Sequence, residues 1–279
     1  MLPVIEMFTS IQGEGKFAGS PSFFIRVSGC NLRCVFKNSR CDTPYSSFDP
    51  EKSPYKTTTE LVDAFTKMMD EHPNVYHLVI TGGEPMMYRK DMIEFLSCLW
   101  DRCNENRDLF ITIETNGTFE PFDEEEEARA GWSIDMYSVS PKLSNSVGKE
   151  GDFGLTKREV INHNSKRIQI DVLLKYVMTG RYQFKFVYSG PEIVKEIKEI
   201  YEVMEGYVAQ QDPEGHYLVP AYMEFTSQHP DNHTLLMPEG LTNAQLRASR
   251  KECAQICVEN GWMYTDRLHI IIWGDKRGV

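Results

Sequence analysis

No run of about 18 apolar residues occurs in this chain, so nothing in it reads as a membrane-spanning helix. Its start, MLPVIEMFTSIQGEGK, lacks the basic segment and apolar stretch of a secretory leader. A reducing, cytoplasmic compartment is therefore expected, with cysteines that are free, catalytic or metal-bound rather than disulfide-linked. No long basic block is present either. Thirty Lys and Arg against 41 Asp and Glu leave a net charge of −11. Phosphate backbones reward clustered cations, so the expected partner is a small polar molecule, with no nucleic acid and no membrane. There is no internal repeat, and the one low-complexity patch, Asp123–Glu127, reads as a solvated acidic loop. Cysteine is sparse, seven in 279 residues, yet three crowd into positions 30, 34 and 41.

The length suits a single α/β unit with a sizeable core. Ser22–Ser28 (SFFIRVS) reads as a first strand. Thr57 and Glu60 form a capping-box pattern ahead of a helix carrying Leu61, Phe65 and Met68. Tyr76–Thr81 is a short apolar strand ending at Gly82-Gly83, and a helix follows over about Lys90–Cys103. Leu109–Glu114 is another strand, and one more ends at Tyr137–Ser140 before Pro141. Strand and helix alternate, which predicts a parallel sheet with crossover helices. Active sites of such sheets gather at the C-terminal strand ends. Cys30, Gly82, Glu114 and Ser140 all fall there, so one rim is expected to carry them. The stretch 145–180, with a helix near Ile168–Val177, reads as an insertion or lid. Tyr182–Tyr188 is a strand, a helix follows Pro191, and Tyr217–Phe225 is a further strand. Thr242 and Gln245 cap a helix to about Glu259, and Leu268–Trp273 (LHIIIW) is a last strand-like run.

Three thiolates within twelve residues can converge on one metal centre. Electron-transfer clusters usually take four cysteines; three would leave one iron open to a ligand, as in an open catalytic site. A zinc knob or unligated thiols are the plainer alternatives. Gly82 and Gly83 let backbone approach a ligand closely, and Glu84 adds an acceptor suited to an ammonium group; a tight strand–helix turn explains the same residues. Asp42 and Thr43 are oxygen donors of the kind Mg²⁺ takes, or simply turn residues before Pro44. Gln12, Glu14 and Arg26 offer the donors and acceptors that read a flat heterocycle bearing a carboxylate. Cys253 and Cys257 share a helix face as core filling, and Cys98 and Cys103 read as structural.

The cysteine spacing resembles the radical S-adenosylmethionine signature of Cys, three residues, Cys, two residues, Cys, except that six residues (VFKNSR) occupy the last gap. Lys37–Arg40 then reads as a small insertion looping away from the cluster. The flanks EMFTSIQGEG, FIR, GCNLRC and Cys41-Asp42-Thr43 resemble one subfamily, the 7-carboxy-7-deazaguanine synthases, as do TGGEP, ETNG, SVSPK, MPEG and RLHIIIWGDKRGV. The resemblance runs over nearly the whole chain and is weakest from about 145 to 235. It implies a partial, open TIM-like barrel of mainly parallel strands in one domain over 1–279. It implies a 4Fe–4S cluster on Cys30, Cys34 and Cys41, with S-adenosylmethionine against Phe36, Gly82, Gly83, Glu84, Glu114, Asn116, Ser140 and Lys142. A magnesium ion on Thr43, with Asp42 assisting, is also implied. The implied substrate residues are Gln12, Gly13, Glu14, Arg26, Thr81, Gly83, His269 and Val279. The implied reaction is radical hydrogen abstraction from 6-carboxy-5,6,7,8-tetrahydropterin, ring contraction and loss of ammonia, a lyase step of 7-deazaguanine (queuosine) biosynthesis. An electron donor such as a flavodoxin and a homodimer go with it. A radical activase acting on a partner protein, or a non-catalytic zinc-binding module, is the rival reading.

Overall fold

The computed structural model describes residues 1–37, 39–103, 108–211 and 233–279. One eight-stranded sheet organises them: β1 (Val4–Ile11), β2 (Pro21–Val27), β5 (His77–Gly82), β6 (Phe110–Thr115), β7 (Met136–Val139), β8 (Tyr182–Tyr188), β9 (Thr234–Pro238) and β10 (Met263–Tyr264), side by side in that order. The remaining two strands, β3 (Val35–Phe36) and β4 (Ser39–Arg40), form a separate ladder. Strand β1 is antiparallel to β2, and every later neighbour pair is parallel. A short helix, α1 (Pro44–Ser47), follows the cysteines. Helices then bridge the parallel strands: α2 (Thr58–Glu71), α3 (Arg89–Cys103), α4 (Glu124–Ala130), α5 (Lys157–Lys166), α6 (Ile170–Met178), α7 (Glu192–Gln211) and α8 (Asn243–Asn260). Strands β1 and β10 are the two ends of the sheet order, so the barrel is partial and open.

Alternation along each strand divides two environments. Phe23, Ile25 and Val27 of β2 face the core with Leu61 and Phe65 of α2, while Phe24 and Arg26 face a cavity. In β8, Tyr182, Phe184, Phe186 and Tyr188 pack into the core, and Lys185 and Val187 line the cavity. Burying each such large apolar side chain contributes about 1.5–3 kcal/mol. The sheet is thus buried on both faces, and its polar positions converge inside rather than on solvent.

The caps fall where their residues place them. Thr57 accepts from the Glu60 N–H at 3.1 Å, and Thr242 with Gln245 closes a full capping box. Three expectations change. The N-terminal motif is itself a strand, with Phe8 stacked on its register partner Phe24 at 4.9 Å. The acidic run is not a loop: Asp123 caps α4, Glu126 pairs with Arg89 and Glu127 with Arg181. Leu268–Trp273 is a helix, α9, instead of a strand. A short apolar run has no period of its own. Among the described residues no strand lies beyond β10, and the Ile271 and Gly274 N–H groups find the Arg267 and Ile270 carbonyls.

The segment after β7 folds as two turns, Ser144–Ser146 and Asp152–Gly154, followed by α5 and α6. Helix α6 sends Val172, Leu173, Leu174, Tyr176 and Val177 into the main core, as a crossover helix does. The strand expected at Tyr217–Phe225 lies outside the described residues. Among the described residues, no helix is long and apolar enough to cross a membrane.

Candidate active site

The C-terminal strand ends open onto a cavity of about 730 Å³. Cys30, Cys34 and Cys41 line it together with Gly82, Glu114 and Ser140. The six-residue gap before Cys41 is absorbed by β3 and β4, which pair antiparallel through Val35↔Arg40 and Phe36↔Ser39. The chain therefore doubles back, and the Cys41 N–H donates to the Cys34 carbonyl at 2.9 Å.

Burial pushes the Cys30 thiol up to about 12 and raises Cys34 and Cys41 as well, with neighbouring anionic groups adding to it. Neutral thiols in such a place need a cationic centre to release their protons. The Leu32 N–H points at Cys30 Sγ at 3.4 Å, and Asn116 Nδ2 lies 3.9 Å from the same sulfur. N–H groups aimed at sulfur are among the levers that tune iron–sulfur centres. Among the described residues no three His, Cys, Asp or Glu side chains are grouped to hold a single ion. The donor set, three soft thiolates and no histidine, fits iron and sulfide.

The glycine turn is shaped by its neighbours. Gly83 N–H donates to the Val27 carbonyl at 3.0 Å and Glu84 N–H to the Gly29 carbonyl at 2.8 Å. A Cβ on Gly83 would collide with the Gly29 and Ser46 carbonyl oxygens, and Gly82 holds φ +136°. The two glycines line the cavity, but Glu84 does not. Its carboxylate is fully buried and accepts from the N–H groups of Met86 (3.0 Å) and Asn116 (2.7 Å) and from Thr115 Oγ1 (2.7 Å). Burial pushes that carboxyl up to about 7 against the pull of these donors.

Polar side chains line the same cavity. Gln12 donates to Glu114 at 3.2 Å and Thr81 donates to its other oxygen at 2.7 Å. Gln12 and Thr81 therefore fix both carboxylate oxygens of Glu114. Glu14 is gripped by Lys185 Nζ (2.6 Å) and Arg267 Nε (3.0 Å). Burial alone would raise its carboxyl, yet the two cations hold it well below the usual carboxylate range. Gly13 lies against His269, where a Cβ would strike the imidazole. Arg26 pairs with Glu6 at 2.5 Å. Asp42 is paired with Arg267, while Thr43 Oγ1 sits 3.5 Å from Cys41 Sγ. Phe36, Asn116, Ser140, Lys142 and Val279 also line the cavity, and Lys142 Nζ reaches Ser140 Oγ at 2.9 Å.

Lys185 and Arg267 are the site residues that sequence reading passes over. A signal existed for the first: a lysine between two phenylalanines in a strand of an α/β fold has no solvent face to occupy.

The Radical SAM superfamily profile matches residues 24–176. A 7-carboxy-7-deazaguanine synthase of Halobacterium salinarum is 34% identical over 98% of this chain and 91% of its own length. The one from Rhodopirellula baltica is 32% identical over 100% and 89%. The crystal structure of QueE from Escherichia coli aligns with a TM-score of 0.50 at 21% identity, covering 96% of this chain and 94% of that one, which shows the shared fold. The chain belongs to the radical SAM superfamily and, within it, to the family of 7-carboxy-7-deazaguanine synthases. The cofactors that superfamily implies are a 4Fe–4S cluster and S-adenosylmethionine.

Proposed function

We propose that this enzyme converts 6-carboxy-5,6,7,8-tetrahydropterin to 7-carboxy-7-deazaguanine with loss of ammonia. The observation that carries the reading is one cavity lined both by three thiols, Cys30, Cys34 and Cys41, and by the polar side chains of Gln12, Glu14, Arg26, Thr81 and His269. Cys30, Cys34 and Cys41 would hold the cluster. When bound, cluster and cofactor supply one electron and a 5′-deoxyadenosyl radical. Gly82 and Gly83 leave room for the cofactor's amino-acid end, and Phe36, Asn116, Ser140 and Lys142 surround it. Glu84 acts indirectly, by fixing the turn and the Asn116 backbone.

On the substrate side, Glu14 and Gln12 meet the donors and acceptors of the pyrimidine edge, and Arg26 faces the carboxylate. Glu114 stands on this side too, held by Gln12 and Thr81. His269 and Val279 close the pocket and exclude water from a radical. Thr43 is the magnesium ligand we favour; Asp42 joins it only by leaving Arg267. The net conversion is redox-neutral, and an outside donor such as a flavodoxin would reduce the cluster before the cofactor is cleaved. One sheet running from Val4 to Tyr264 supports a single domain over 1–279, and a homodimer is the assembly we propose.

The test is anaerobic incubation of the reconstituted enzyme with the tetrahydropterin, S-adenosylmethionine and reductant. Product bearing the 7-carboxy-7-deazaguanine mass is expected, with magnesium raising the rate and Thr43→Ala removing that stimulation. Cofactor cleavage that the pterin neither accelerates nor converts to product contradicts the reading and favours an activase.

A further inference from the structure

Beyond α9 the chain runs along the cavity, and Asp275, Lys276, Arg277, Gly278 and Val279 all line it. Gly274 turns the chain out of the helix at φ +73°, a conformation that suits glycine. Residues 274–278 are exposed. Among the described residues, every hydrogen bond that ties 275–279 to another element starts at the Arg277 guanidinium. Its Nε donates to Glu6 Oε2 at 2.7 Å. Its Nη1 and Nη2 donate to the two oxygens of Glu51 at 2.9 and 2.8 Å, a forked pair. The guanidinium carbon also lies 3.8 Å from the centre of the Tyr45 ring, a cation–π contact. The receiving groups are fixed to one another. Tyr45 donates its hydroxyl to Glu6 at 3.2 Å, and the Glu51 N–H donates to the Tyr45 carbonyl at 2.9 Å. Glu6 also holds Arg26, so this receptor adjoins a residue of the substrate reading.

We propose that Arg277 is a positioning residue for the substrate: it latches 274–279 along the cavity, and the latched segment holds the ring in place. This rests on the substrate reading given above. An exposed segment loses backbone entropy when it is fixed, and one guanidinium supplies the polar contacts that offset the loss. A lone exposed ion pair contributes little, but a forked arginine within a network is the geometry that does contribute. A ring that binds only the latched form has its apparent affinity reduced in proportion to the latched fraction.

The experiment compares the reconstituted wild type with Arg277→Met and Glu51→Gln. One measurement is the rate at which a lysine-specific protease cuts after Lys276, read by mass; the other is binding of fluorescent 6-carboxypterin. Glu51 does not line the cavity, so it reaches the ring only through Arg277. Both variants are expected to be cut faster after Lys276 with cutting at other lysines unchanged. The ring is expected to bind about fivefold more weakly or worse in Arg277→Met, and more weakly in Glu51→Gln as well. An unchanged rate after Lys276 in Arg277→Met overturns the latch. Faster cutting with unchanged ring affinity overturns its role in holding the ring. Weak binding in Arg277→Met beside wild-type behaviour in Glu51→Gln shows Arg277 touching the ring directly, which also overturns the proposal. Should Arg277→Met not fold, Glu51→Gln carries the test, and wild-type cutting and affinity in it overturn the proposal. A wild type that does not bind the ring defeats the substrate reading, while the rate of cutting still decides the latch.

Discussion

His163 accepts the backbone N–H of Arg33 through Nδ1 at 3.2 Å. Its Nε2 faces Ser146 Oγ at 3.0 Å, whose hydroxyl donates to the Leu143 carbonyl. Nδ1 must then be the bare nitrogen and Nε2 the donor. A buried neutral imidazole on α5 thus pins the turn between Cys30 and Cys34 from behind. Replacing it by alanine leaves the Arg33 N–H unpaired, at a cost of about 1–3 kcal/mol. His163→Ala is expected to fold but to take up less iron and sulfide per chain on reconstitution, seen in metal analysis and the visible absorbance. Full loading in that variant contradicts the positioning role.

Burial holds His77 and His163 down to about 4. Ser22 Oγ donates to the Ser20 carbonyl and accepts from His77 Nδ1, so Thr112 donates to His77 Nε2, and the ring is neutral. In the unfolded chain a histidine protonates near pH 6.5. Above that pH both states are neutral, and the full stability is present. As pH falls from about 6.5 to about 4 the unfolded state binds more protons, so stability is lost across that window. The melting temperature of the metal-free protein is expected to fall there, and less steeply in His77→Gln. Parallel slopes in the two proteins would rule this out for His77.

Gly83→Ala tests the glycine turn. The added methyl meets the carbonyl oxygens of Gly29 and Ser46, which are backbone and cannot swing aside. Overpacking of this kind costs about 1–3 kcal/mol, and here the strain falls one residue from Cys30. Lower melting temperature together with lower cluster content is expected. A variant that keeps both but loses cofactor affinity would show that the glycine serves the ligand alone.

Glu84→Gln separates a structural glutamate from a ligand-binding one. All three donors around Glu84 come from the protein. An amide replaces one acceptor oxygen by an NH2 donor facing that ring of donors, leaving a buried clash worth about 1–3 kcal/mol. Thermal unfolding is expected at lower temperature even without cofactor. An unchanged midpoint with weakened cofactor binding would return Glu84 to the cofactor.

Much of the site was legible because the chemistry-bearing residues follow strand ends, where a parallel sheet collects them. Cys30, Gly82, Glu114 and Ser140 needed only strand order to meet. For Glu84 the sequence shows an acceptor but not that Met86, Thr115 and Asn116 already donate to it. Glu114 is held by Gln12 and Thr81, partners too distant in sequence to be foreseen. Leu268–Trp273 has the composition of a strand, and only the end of the sheet at β10 decides against it. The Lys37–Arg40 insertion was expected to loop away from the cluster site, but Ser39 and Arg40 line the cavity. Val35 pairs with Arg40, and a hairpin lengthens the chain without separating its ends.

The most direct measurement is anaerobic loading with iron and sulfide, read by iron content, electron paramagnetic resonance and 5′-deoxyadenosine formation. Wild type and Cys34→Ala are compared. The account predicts about four irons per wild-type chain, a reduced-cluster signal altered by S-adenosylmethionine, and 5′-deoxyadenosine. Cys34→Ala should lose all three. Bound zinc without iron or sulfide in the wild type, or undiminished cofactor cleavage in the variant, would contradict it.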